Sequence, residues 1–384
     1  MKHGWKVLDS DIHVLEPAEV WSDYLDPEFR ERAPQPPAPG TSGWMTIDGH
    51  IIPAGADTPE RARALEIRYG SERMGRKLRQ RQEEAGEFGG LDTGTRPETM
   101  LGAMDLEGID VAVVFRTFAA HVIAFDDIDA RLAGGLCRAF NRWGRDFCEK
   151  DPARLKLGAL VSLHDPDVAV REARYAVEQL GAMTLVLPSH LVRQRPLYDP
   201  AYEPLWQVAE ELDVAVSLHG IHASHTADML ANRYPSNHVL GHAVGQPVEL
   251  MLSLGSVITG GVAARHPRLR FAFLEGNCSW LPWWLWALDE RWQEWGDREL
   301  FGQDELPSEL FRRQCWVSCD VDEELAALVV DEVGDDNLVL STDWPHDDSA
   351  FPHAIDEFVG LDRLSDETKR KVLWDNCARL YGIR

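Results

Sequence analysis

Short apolar runs recur along the chain, separated by longer stretches in which apolar and polar positions alternate with helical spacing. Eight such runs stand out: "WKVL" (5–8), "VAVVF" (111–115), "LGALVSL" (157–163), "TLVLP" (184–188), "VAVSLH" (214–219), "RFAFLE" (270–275), "CWVSC" (315–319) and "LVLSTD" (338–343). Each is nearly continuous in apolar character, as parallel strands covered on both faces require. Between them lie segments such as "DPAYEPLWQVAEELD", whose pattern predicts helices. Eight strand-plus-helix units predict a (β/α)8 TIM barrel, α/β in class, with residues 1–384 forming a single domain. The span from about 26 to 95 breaks the rhythm after the first strand, being rich in Pro, Gly and charge. It holds one helical stretch, "PERARALEIRYGSERMGRKLRQRQEEAG", and reads as an inserted lid or dimerisation excursion, or else as a partly disordered segment.

Charge narrows the partners. A formal net charge of −25 argues against nucleic acid or an anionic membrane, because neutralising phosphates needs clustered Lys and Arg. A small molecule is the expected partner. The chain has no apolar run of about 18 residues and its first residues lack a signal-peptide pattern, so a cytoplasmic location is expected. The six cysteines include no CxxC and read as reduced, small buried hydrophobes, Cys315 and Cys319 among them. Tryptophans crowd the stretch "WLPWWLWALDERW", which predicts a helix packed deep or at a subunit contact.

A barrel places its chemistry at the C-terminal ends of its strands, and polar residues fall there. Asp11 and His13 follow the first run, Arg116 the second, His219 the fifth and Glu275 the sixth; Asp343 ends the eighth, with His346 close behind in "STDWPHDD". Asp11 and His13 have alternation spacing, so both project to one side of an extended segment. Asp11, His13, His219 and Asp343 form an oxygen and nitrogen ligand set without thiolate, suited to one divalent ion, Zn²⁺ or Mn²⁺ or else Fe²⁺, with positions open for water and substrate. Any one of them alone would read as a capping Asp or a hydrogen-bonded core His. Glu16 is an alternative ligand ranked below Asp11, since "EP" commonly begins a turn or helix. His222 and His225 in "HGIHASH" sit in a loop after a strand, where contacts to substrate or metal are found. His242 precedes a helix-like segment and reads equally as a helix N-terminal polar residue. Arg116, leaving a buried strand, calls for an anionic partner, either a substrate carboxylate or a rim Asp or Glu.

These runs resemble the second amidohydrolase family, which includes aminocarboxymuconate semialdehyde decarboxylase and γ-resorcylate decarboxylase. The likeness extends from residue 5 to "WDNCARLYG" near the terminus and is weakest over 26–95. Its most specific pieces are "DPAYEPLWQVAEELDVAVSLHG", "GGVAARHPRLRFAFLEGNCSWLPWWLWALDERW" and "LVLSTDWPH". The resemblance implies that His219 is a metal ligand, that Asp343 touches metal and exchanges a proton with substrate, and that His242 lies near the substrate. Two departures stand out. Asp11-x-His13 replaces the His-x-His of many relatives, and the added carboxylate favours harder ions such as Mn²⁺ over zinc. Glu275 stands where the semialdehyde decarboxylase type has a histidine, as a proton shuttle, a partner of a ligand, or a ligand itself.

The reaction so implied is nonoxidative decarboxylation of a small aromatic or unsaturated carboxylic acid, with Asp343 as proton donor and Arg116 or a histidine such as His222 holding a further substrate group. The alternative is metal-assisted hydrolysis of an amide, ester, lactone or carbon–carbon bond, with Asp343 or Glu275 as base. A barrel that has lost catalysis and serves as a scaffold is the third possibility. The insertion and the Trp-rich helix, read beside the resemblance, point to a homodimer.

Overall fold

The computed structural model describes residues 2–36, 45–52, 76–88, 93–221, 230–233, 237–299, 303–346 and 348–383. Eight parallel strands, β1 (Leu8–His13), β4 (Val111–Phe115), β5 (Leu155–Leu160), β6 (Thr184–Pro188), β7 (Ala215–His219), β8 (Phe271–Leu274), β9 (Cys315–Cys319) and β10 (Leu338–Leu340), follow one another around a nearly closed barrel. Among the described residues two more strands, β2 (Met45–Ile47) and β3 (His50–Ile52), form a hairpin in the excursion. Its turn is Asp48-Gly49, both at positive φ (46° and 86°), as a tight two-residue hairpin requires.

Helices between the strands form the outer ring, and side-chain caps mark where several begin. Asp129 accepts from Leu132 N–H to start Ala130–Cys148, and Asp165 accepts from Val168 N–H to start Pro166–Leu180. Alternate strand residues then divide into two cores. Leu8, Val113, Phe115, Val186, Ala215, Ala272, Leu274, Trp316 and Val339 pack together on the barrel-lining face, with Leu380 and Tyr381 of the C-terminal helix against them. Ile12, Val114, Leu160, Leu187, Val216, Phe273 and Val317 face outward into the helices. Among the described residues no helix is long and apolar enough to cross a membrane. All six cysteines are buried and unpaired by disulfides.

Several elements differ from expectation. The first strand is Leu8–His13 instead of 5–8, because Trp5 N–H turns back to the carbonyl of Lys2 and pairing with β4 begins only at Leu8. Its acidic and imidazole groups therefore lie inside the strand. The third strand ends at Leu160, three residues short, and the last ends at Leu340, leaving Asp343 in the loop beyond. Of the helical stretch expected over 59–86, the described part is Arg76–Ala85. The tryptophan-rich helix, Leu281–Trp295, is not packed deep: Trp283 and Trp286 are 58% and 60% exposed, since only Leu281 and Leu285 of this helix are fully buried.

Candidate metal centre

β1 carries an extra residue. Leu8 and Asp9 pair with Val111 and Ala112, whereas Ile12 and His13 pair with Val114 and Phe115, so three steps on β1 match two on β4. A bulge of this kind reverses the side-chain alternation. It lets Leu8 face the barrel lining and Ile12 the helices, although regular alternation would put both on one face. His13 is thereby brought beside Phe115 on the lining side, with ring centroids 6.2 Å apart.

Asp11, His13 and His219 are buried together at the top of the barrel. His13 Nε2 lies 3.1 Å from Asp11 Oδ1, and His219 Nε2 lies 3.1 Å from Asp11 Oδ2. Glu275 adds an oxygen 2.8 Å from His219 Nε2, and Asp343 Oδ1 lies 3.3 Å from His13 Nε2. His346 extends the cluster: its Nδ1 is 2.6 Å from Asp343 Oδ1 and its Nε2 is 3.0 Å from Thr117 Oγ1.

The tautomers tell what the cluster is built to hold. His13 Nδ1 donates to the Arg116 carbonyl and His219 Nδ1 to the Gly220 carbonyl, both at 2.7 Å. Each Nε2 then presents a lone pair, and the two face one another at 3.2 Å across a carboxylate whose oxygens have no hydrogen-bond partner. Two imidazoles and a buried carboxylate converging on one point call for positive charge between them, from a proton on His219 or from a bound cation, and a backbone carbonyl fixing the far nitrogen is the usual support of a metal-ligating histidine. Asp11, His13, His219 and Glu275 fit a divalent ion, and a second overlapping set, His13, Glu275, Asp343 and His346, continues it toward solvent.

Protein charges alone pull these groups far apart. Burial and Arg116 press His219 down, yet Asp11 and Glu275 carry it up to about 9. Burial, with His346 beside it, holds His13 down to about 4. Burial and the neighbouring Glu275, Asp348 and Asp11 push Asp343 well above the usual carboxylate range.

Glu275 and Asp343 share a further feature. Both adopt left-handed backbone conformations, φ 62° and 54°, as does Asn277 at 57°. Non-glycine residues in this region store strain that packing must hold, and such strain gathers at functional sites. The two carboxylates line a cleft open to solvent, together with Gln246, His242, Arg81 and Asp348. Gln246 Nε2 donates to Glu275 Oε1 and aims it.

Other candidates stand elsewhere. Glu16 is occupied, accepting from the N–H groups of Thr117, Phe118 and Ala119 at 2.7 to 3.0 Å. Arg116 is buried and donates to the carbonyls of His219 and Gly220, at 3.3 and 3.0 Å, within the field of the carboxylates Glu275, Asp11, Glu16 and Asp343. His242 lies within the helix His238–Thr259, whose N-cap is Asn237, and its Nε2 is 3.0 Å from Asp348. Cys315 is buried in β9, and Cys319 packs beside Cys278 and Glu323. His222 and His225 lie outside the described residues. Gln246 and Thr117 carried no signal in the sequence, since neither belongs to a pattern of ligands; only tertiary proximity reveals them.

The sequence matches the family profile for amidohydrolases over residues 11–383. The chain belongs to the amidohydrolase family. It is similar to gamma-resorcylate decarboxylase of Rhizobium sp. (strain MTP-10005), 26% identical over 295 residues, covering 74% of this chain and 87% of that one. Among solved structures, an amidohydrolase from Mycobacterium avium subsp. paratuberculosis K-10 superposes with a TM-score of 0.77 at 22% identity, covering 99% of this chain and 100% of that one. A 5-carboxyvanillate decarboxylase from Novosphingobium aromaticivorans, complexed with manganese and 4-hydroxy-3-methoxy-5-nitrobenzoic acid, has a TM-score of 0.70 at 18% identity, with coverage of 100% and 97%.

Proposed function

We propose that this amidohydrolase is a divalent-metal-dependent, nonoxidative decarboxylase of a small aromatic carboxylic acid. The observation that carries the reading is the convergence of two imidazole lone pairs on the orphaned Asp11 carboxylate, with Glu275 and Asp343 at the cavity side. Relatives named for aromatic-acid decarboxylation support the reaction type. Asp11, His13 and His219 would hold the ion, with Glu275 or Asp343 joining them. The carboxylate-rich set suits Mn²⁺ better than zinc. When bound, the ion supplies Lewis acidity toward the substrate's carboxylate and an adjacent oxygen and offsets negative charge.

The chain's own groups do the rest. Asp343 gives a proton to the ring carbon bearing the carboxylate; the bond to the carboxylate then breaks, its electron pair returns to the ring and CO₂ departs. The proton stays on the ring as the new C–H bond, so Asp343 must take up another from solvent; His346, bonded to Asp343 and to Thr117, orients the acid and relays that proton to it. His242 contacts the substrate's outer substituents, and Arg116 fixes the carbonyls of His219 and Gly220. A second copy of the chain covers the tryptophan-rich helix, making a homodimer.

Elemental analysis of the purified protein, combined with a panel of hydroxybenzoates assayed for CO₂, tests the proposal. About one manganese or similar ion per chain and CO₂ release from at least one member are expected. A metal-free protein, or ester and lactone hydrolysis without CO₂ release, would overturn it.

A further inference from the structure

The barrel is closed everywhere by strand pairing except at one place. Among the described residues, the ladder runs from β1 through β4 to β10, and no strand pairing joins β10 back to β1. This seam separates two carboxylates of the proposed metal centre, Asp11 on β1 and Asp343 beyond β10. What spans it is a set of individual bonds. Ser10 Oγ donates to the Leu340 carbonyl at 2.6 Å, Asp343 N–H to the Asp11 carbonyl at 3.2 Å, and His13 N–H to the Trp344 carbonyl at 2.7 Å.

The side chain at the centre of this set is Asp9. It is completely buried and reaches neither the cavity nor the histidines. Asp9 Oδ1 accepts from Asp11 N–H at 3.1 Å and from Thr342 N–H at 3.2 Å, while Oδ2 accepts from Thr342 Oγ1. One carboxylate thus ties the bulged backbone of β1 to the residue preceding Asp343. A carboxylate that accepts several buried donors is a strong staple, because each donor would otherwise be left unpaired in the interior. The bulge itself depends on it: Asp11 N–H, displaced from the ladder by the extra residue, finds its partner in Asp9.

We propose that Asp9 is a positioning residue that sets the separation of Asp11 and Asp343 across the barrel seam. The inference rests on the metal-dependent reading above. It predicts that Asp9→Ala, with both backbone donors orphaned, lowers manganese affinity 10- to 100-fold, the range typical of groups that orient ligands. Asp9→Asn keeps one oxygen to accept both N–H groups and should stay within a few-fold of the parent. Titration of the folded variants with Mn²⁺, with thermal melts alongside, distinguishes this from plain destabilisation. A merely structural role would lower the melting temperature yet leave the affinity of the folded protein unchanged.

Crystal structures of the parent and Asp9→Ala provide an arm that needs no metal. Asp343 displaced from its place 3.3 Å from His13 Nε2 is the expected result, and an unmoved Asp343 overturns the proposal. If Asp9→Ala does not fold, Thr342→Val, which removes only the hydroxyl donor, is measured instead, with a smaller loss of affinity expected and an unchanged affinity counting against. A parent protein that binds no manganese would defeat the metal reading, while the crystallographic arm would still decide the role of Asp9.

Discussion

Asp343 shares its left-handed backbone and its approach to His13 with Glu275, and adds to them a hydrogen bond to His346. Replacing it with Asn preserves shape and removes the acid. Asp343→Asn is expected to cut kcat for decarboxylation by about 10²- to 10⁴-fold with an unchanged melting profile, checked by steady-state kinetics on a substrate from the panel. His190 offers a test of a different kind. Burial, with His164, Arg116 and His121 nearby, pushes its imidazole from an ordinary 6.5 down to about 3. The folded protein keeps it neutral where the unfolded chain takes up a proton. Its contribution to stability is therefore complete above about pH 6.5 and is lost as pH falls toward 3. Melting temperatures measured between pH 7 and 4.5 should fall less steeply in His190→Gln than in the parent; parallel curves would show that another group governs the acid limb.

Loops after the strands place the site's acids, and one carboxylate ties two of these loops together. Glu323, in the loop after β9, accepts from the N–H groups of Cys278, Ser279 and Asp320 and from Ser279 Oγ. It thereby fastens the segment following Glu275 to the neighbouring loop. Glu323→Ala leaves three backbone donors without a partner and should cost about 2 to 4 kcal/mol, read from the urea midpoint. A change of only a few tenths would mean that water replaces the carboxylate. The glycines serve close approach at this scale: a Cβ on Gly158 of β5 would come within 3.0 Å of the Val114 carbonyl on the adjacent strand.

The acidic surface and the exposed tryptophans describe the whole molecule. Large apolar side chains are exposed on one helix, Trp283 and Trp286 above all, and the proposed dimer would cover them. Trp286→Glu is expected to convert the proposed dimer to monomer in sedimentation velocity while leaving metal content unchanged; a parent already monomeric at micromolar concentration would refute that assembly.

Periodicity alone specified the eight strands and their order, because burial on both faces writes a continuous apolar run into each, and the parallel barrel is the arrangement that covers them. The acids and imidazoles at strand ends were likewise legible, since polar groups after buried runs are rare unless used. Boundaries were not: β1 begins at Leu8 because Trp5 turns back to Lys2, and the contact of its bulged segment with Thr342 joins residues more than 300 positions apart in sequence. The same limit hid Arg116's carbonyl partners, Glu16's three N–H donors and the aim of Glu275, set by Gln246. Local pattern records which face a residue prefers, whereas hydrogen-bond partners across the barrel arise only when distant segments are brought together.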